Sequence, residues 1–299
     1  MTRTEGTSIM HIILAAPRGF CAGVNMAIAS LEQAIAQYGG PIYVFHEIVH
    51  NRWVVERFRN RGVRFVDGLE GVPPGATLLF SAHGVAPQVR QEATARSLRV
   101  IDATCPLVTK VHREAARLAR EGYGIVLIGH PGHDEVVGTV GEAPAAIVLV
   151  EIPDDVDRLQ PADPSRIAYL TQTTLSAVDA QVIIERLKQR FPAIVGPRKD
   201  DICYATQNRQ AAVRELSQEA NVLLVVGSAN SSNSRRLAEL GQAAGIPSYL
   251  IDGPDDIRSD WLAAGQTVLI TAGASAPEDV VQDCVCWLQR HFDATVEED

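Results

Sequence analysis

No apolar run in the chain reaches the roughly 18 residues that a membrane-crossing helix needs. Residues 1–8 are polar and lack the apolar core of a signal peptide, so they read as a loose extension. Basic charge is in deficit: 27 Lys and Arg against 36 Asp and Glu leave a net −9, which excludes a broad nucleic-acid surface. A pocket for an anion is still open to the chain, because helix N-termini and histidines build one locally. Cysteine is scarce, at five in 299 residues, and a cytosolic, reducing location makes ligands, nucleophiles or core residues the expected roles rather than disulfides. There is no Walker loop and no Gly-x-Gly-x-x-Gly after a strand, so a bound nucleotide is not indicated.

What the sequence does hold is a repeat. Cys21, Cys105 and Cys203 each follow a predicted strand and open a predicted helix, one in each third of the chain. Apolar residues recur at helical spacing after each: Val24, Ala27, Leu31 and Ala34, then Val108, Val111, Ala115 and Leu118, then Ala211, Ala212, Leu216 and Ala220. Each helix gives way to an apolar strand, and a polar group stands where that strand stops. These groups are His50, His133 and Ser231-Ser232-Asn233, placed 29, 28 and 28 to 30 residues beyond their cysteines. A further strand closes each repeat on Ser81-Ala82-His83, Thr171-Gln172-Thr173 and Gly273-Ala274-Ser275.

Strands alternating with helices predict an α/β fold of mainly parallel sheets. Ligands of such sheets sit beyond the carboxyl ends of the strands, and the polar groups above all fall there. A hydrophobic content of 46% supports more than one core. The expected organisation is three pseudo-equivalent α/β domains over residues 10–104, 105–202 and 203–290, after a disordered extension over 1–9 and before a C-terminal tail over 291–299.

A single free cysteine is usually a small buried hydrophobe, but three at the same place in a repeat point to ligation. A helix N-terminus favours the thiolate that binds metal. Separations of 84 and 98 residues match neither zinc-finger nor ferredoxin spacing, so the fold must bring the three together. Three thiolates leave one iron of a four-iron cluster open, and a zinc site with three cysteines and water competes with that reading. Cys284 and Cys286 fall outside the repeat and are expected in packing or on the surface. His46, His112 and His130 read as ordinary structural histidines, whereas His50, His83 and His133 gain weight from their repeat-equivalent places. Glu135, on the loop after His133, is a candidate general acid if burial raises its pKa. Ser231, Ser232 and Asn233 read equally as a helix cap and as an anion site, and Thr173 and Ser275 carry the same double reading.

Several of these segments also resemble one enzyme family. Pro17-Arg18-Gly19-Phe20-Cys21-Ala22-Gly23-Val24, Ser81-Ala82-His83-Gly84, Asp102-Ala103-Thr104-Cys105-Pro106, Thr171-Gln172-Thr173-Thr174 and Asp201-Ile202-Cys203-Tyr204 are similar to the 4-hydroxy-3-methylbut-2-enyl diphosphate reductases, in the same order, from about Ile12 to the final helix. The resemblance implies three α/β domains around a central 4Fe-4S cluster held by Cys21, Cys105 and Cys203, with the fourth iron open to the substrate. It implies a cytoplasmic reductive dehydroxylation of an allylic diphosphate, fed by reduced ferredoxin or flavodoxin, with no nucleic acid or membrane partner. By the same carry-over His50, His83, Ser231, Ser232, Asn233 and Ser275 bind the diphosphate, Glu135 donates protons, and Thr173 and His133 assist near the substrate hydroxyl. The chain departs from many members in having Asn25-Met26 after Ala22-Gly23-Val24, and Asp134 where a proline is common. A cluster-dependent hydro-lyase and an iron–sulfur redox sensor are the competing readings. The sensor is disfavoured by the His, Glu and Ser set, for which it has no use.

Overall fold

The computed structural model describes residues 9–299, so the extension expected over 1–9 lies outside the described residues apart from Ile9. Strand β1 (Met10–Leu14) comes first. Then β2 (Tyr43–Phe45), β3 (Arg64–Val66), β4 (Thr77–Phe80) and β5 (Arg99–Asp102) form a sheet in the order β3-β2-β4-β5. Strands β6 (Gly124–Ile128), β7 (Ile147–Val150) and β8 (Ile167–Thr171) form a second, β7-β6-β8. Strands β9 (Val222–Val226), β10 (Ser248–Ile251), β11 (Thr267–Ala272) and β12 (Ala294–Glu298) join β1 in a third, β10-β9-β11-β1-β12. Every strand pairing in the three sheets is parallel, as expected of βα repeats.

The sheets share one plan. The strand after each cysteine-led helix (β2, β6, β9) has the next strand in sequence on one side (β3, β7, β10) and the one after that on the other (β4, β8, β11). A fourth position follows, filled by β5, by a single bridge from Val195 to Ala168, and by β1. These fourth positions are the ones that run on into Cys105, Cys203 and Cys21. Strand β1 is therefore not a member of the first repeat, where its place in the chain put it, but completes the sheet of the last. The expected tail over 291–299 supplies β12, the other neighbour of β1.

The chain forms two compact units. One gathers the described residues up to Cys21, His50–Val54 and Tyr204–Asp299, and holds the five-stranded sheet. Ile12, Leu14, Leu224, Val226, Val268 and Ile270 point from one face of that sheet to Val281, Cys284 and Leu288 of the C-terminal helix Glu278–His291. Leu223, Val225 and Leu269 point from the other face to Val213 and Leu237, on helices Tyr204–Leu216 and Ser232–Ala243. The other unit gathers Ala22–Val49 and Val55–Cys203 with the remaining two sheets. There β6 turns Val126 and Ile128 to Ile183 and Leu187, and Ile125 and Leu127 to Val111, Ala115 and Leu118 of helix Pro106–Arg120. Two apolar faces per strand are what a parallel sheet covered on both sides demands.

Candidate active site

The three cysteines of the repeat are held alike. Each sits at the start of a helix: Cys21 before Ala22–Tyr38, Cys105 as the N-cap of Pro106–Arg120, Cys203 before Tyr204–Leu216. Each donates its backbone N–H to a carbonyl just past the end of the neighbouring strand: Cys21 to Ala274, Cys105 to Ala82 and Cys203 to Thr173, all at 3.0 Å. The first and second strand-end motifs thus meet the cysteine that follows them in sequence, and the third meets Cys21, which follows β1. None of the three is in a disulfide, and all are partly exposed. Cys284 differs: it is buried in the core, and burial pushes its thiol up to about 12, while Cys286 is exposed. Packing and surface placement are what the sequence led us to expect of that pair.

In the first unit, His50 and Ser275 meet directly, Ser275 Oγ donating to the His50 carbonyl at 2.9 Å. Helix Ser232–Ala243 starts on Ser231, whose Oγ accepts from the Ser234 N–H at 3.3 Å and from Ser234 Oγ at 3.0 Å. The cap role expected of Ser231 is therefore real. Asn233, in the first turn, is 3% exposed, yet neither Oδ1 nor Nδ2 has a hydrogen-bond partner among the described residues. A buried carboxamide with both ends unsatisfied costs the free protein stability unless a ligand completes it.

The second unit carries the buried Glu135 carboxyl. Glu135 lies in the first turn of helix Asp134–Glu142, which His133 caps by accepting the Glu135 N–H on Nδ1 at 3.2 Å. The Glu135 carboxyl is 2% exposed and accepts from Thr173 N at 2.6 Å and Thr173 Oγ1 at 2.9 Å. Burial pushes its pKa up to about 7, against the two Thr173 bonds and helped by the repulsion of Asp201. Asp201 is itself buried, raised mainly by that burial, and is held by Lys110 at 3.0 Å and by Thr171 N at 3.1 Å. The ring of His83 stands 5.8 Å edge-on from that of His133, and its Nδ1 is 3.9 Å from Asp134.

Thus Cys21, His50, Ser231, Ser232, Asn233 and Ser275 lie in one unit and Cys105, Cys203, His83, His133, Glu135 and Thr173 in the other. Asn51 escaped the sequence reading: this buried residue accepts the Val54 N–H at 3.1 Å and caps helix Arg52–Arg59, the part that His133 and Ser231 play in the other repeats. An Asn just ahead of a helical run was the available signal. His46, read as ordinary, pairs with Asp134 at 2.7 Å, and that bond raises its pKa. His130 matches its ordinary reading, in a half-exposed pair with Glu151 at 3.0 Å. Among the described residues no helix is long and apolar enough to cross a membrane.

The family model of the LytB protein matches residues 12–289. The 4-hydroxy-3-methylbut-2-enyl diphosphate reductase of Rhodopirellula baltica is 60% identical over 288 residues, covering 96% of this chain and 90% of the relative. The enzyme of the same name from Azotobacter vinelandii is 55% identical over 293 residues, covering 97% and 93%. Among solved structures, the E-1-hydroxy-2-methyl-but-2-enyl-4-diphosphate reductase of Plasmodium falciparum superposes with a TM-score of 0.92 at 38% identity, covering 98% of this chain and 93% of that one. With matches that span nearly the whole sequence in all three comparisons, this chain belongs to the LytB family.

Proposed function

We propose that this chain is a 4-hydroxy-3-methylbut-2-enyl diphosphate reductase, the terminal enzyme of the non-mevalonate pathway. The allylic C–O bond breaks, the oxygen leaves as water, and isopentenyl and dimethylallyl diphosphates form. The balance requires two electrons and two protons per turnover, the electrons coming from reduced ferredoxin or flavodoxin. The observation that carries the reading is Glu135, a carboxyl buried beside Thr173 and pushed up to about 7. At neutral pH such a group is populated in both forms, as a proton donor must be. It protonates the departing oxygen, while Thr173 and His133 orient the acid and the substrate hydroxyl. The diphosphate is the binding handle for His50, His83, Ser231, Ser232, Asn233 and Ser275, and the unsatisfied Asn233 carboxamide supports that use.

The donor chemistry of Cys21, Cys105 and Cys203 suits a 4Fe-4S cluster: three partly exposed cysteines outside any disulfide, each at a helix start, one ligand short of closing it. When bound, the cluster supplies electrons and a Lewis-acidic iron with an open position. Each cysteine would come from one of the three α/β modules 10–104, 105–202 and 203–290, with β1 completing the sheet of the third. The reducing cytoplasm, where such thiols persist, suits this chemistry.

The test is anaerobic: iron and sulfide per chain, and turnover of the hydroxylated allylic diphosphate with and without a reduced one-electron donor. Iron and sulfide with donor-dependent turnover are expected. Zinc in their place, or turnover without a donor, would overturn the reading.

A further inference from the structure

His112 lies two turns into the helix that Cys105 caps, and it is 5% exposed. Its Nδ1 stands 3.2 Å from Glu142 Oε1, at the far end of the Glu135 helix. Glu142 is also paired with Arg90, and Arg90 Nη1 donates to the Val85 carbonyl at 2.9 Å, in the turn after His83. Burial is the largest influence on the His112 ring and lowers its pKa, against Glu142 and with Arg90, while the Asp102 charge raises it. Burial thus disfavours the charged ring, and Nδ1 faces the Glu142 carboxylate. Nε2 is bare and has no partner among the described residues.

The ring also fills a slot between two glycines. A Cβ on Gly84, at φ +75°, would meet His112 Cε1 at 2.9 Å. A Cβ on Gly138, one turn beyond Glu135, would meet Cε1 at 3.0 Å and Nε2 at 3.1 Å. Any larger residue at either place would collide with the ring.

We propose that His112 is a positioning residue for the proton donor: its buried ring, wedged between Gly84 and Gly138 and tied through Glu142 and Arg90 to Val85, sets the Glu135 helix against the His83 turn. Glu135 keeps both Thr173 bonds only while that helix stays in register, so the wedge acts on the acid without touching substrate. The inference rests on Glu135 being the proton donor.

Its test pairs Gly138→Ala, which pushes on the ring, with His112→Asn, which shortens the side chain and keeps an N–H for Glu142. Gly138→Ala should lower kcat at least tenfold and displace the pH midpoint of kcat, with thermal stability measured alongside. The double variant should recover most of both losses. Additive losses, or a Gly138→Ala pH profile that superposes on the parent's after scaling, would overturn the proposal even if the protein is less stable. Because His112→Asn is also measured alone, a fold intolerant of the alanine still leaves a displaced or undisplaced pH midpoint to decide the matter. Activity retained in Glu135→Gln would instead sink the reading on which the proposal rests.

Discussion

The helix starts after β6 and after β9 occupy the same place in their sheets and are finished in opposite ways. After β6 the carboxyl is saturated: Glu135 takes two hydrogen bonds from Thr173, and burial rather than any missing partner raises its pKa. After β9 the helix is capped by Ser231, yet Asn233 is left buried with both ends of its amide unmet. The first is the proposed proton donor and the second a proposed diphosphate contact. A parallel-sheet scaffold thus fixes where chemistry happens, and local hydrogen-bond bookkeeping decides which chemistry it is.

The contrast breaks most sharply at the acid. Glu135→Gln should lower kcat by about 10²–10⁴-fold while iron and sulfide content stay at the parental level; steady-state rates with metal analysis check this. In the parent, kcat should fall as pH rises through about 7. The same group carries a stability signature. Its folded pKa is raised, so its contribution is present below the unfolded value and lost as pH rises through about 7. Denaturant melts of parent and Gln variant should therefore diverge in the variant's favour on the alkaline side.

At the ligand end the expected effect is smaller and has two signs. Asn233→Leu removes the unmet polar atoms and should stabilise the ligand-free protein by about 1–3 kcal/mol. It should also raise KM for the diphosphate by roughly tenfold or more, since a hydrogen bond to a charged group is lost. Thermal melts without ligand and saturation kinetics read the two effects separately. A destabilised, tight-binding variant would erase the contrast.

The mildest test concerns Asp134, beside the acid. Asp134→Asn removes the partner of His46, whose pKa that partner raises. The lost stability should be largest below the ordinary histidine value and vanish as pH rises through the raised one. Both side chains are partly exposed, so about 1 kcal/mol or less is expected, read as the pH dependence of the melting difference.

Much of this architecture was legible in the sequence because its signals are local. Apolar periodicity marks the cysteine-led helices, and polar residues mark the strand ends. What stayed hidden depends on pairing across the chain. Nothing near Met10–Leu14 says that its neighbours will be β11 and β12, because its largely apolar residues suit a buried parallel strand in any of the sheets. His112 looks like any histidine on a helix until Gly84 and Gly138 arrive on either side of it. The His46 pair was equally invisible, since its partner stands 88 positions away.

Strand β1 has a consequence for the order of assembly. It emerges first from the ribosome, but the strands on both sides of it, β11 and β12, emerge last. Cys21, the earliest of the three thiols to be made, is thus the last to gain its backbone anchor, because Ala274 is translated long after Ala82 and Thr173. Nascent chains can fasten Cys105 and Cys203 while synthesis continues. Loading of the proposed cluster onto three anchored cysteines would thus wait until synthesis has passed Ala274.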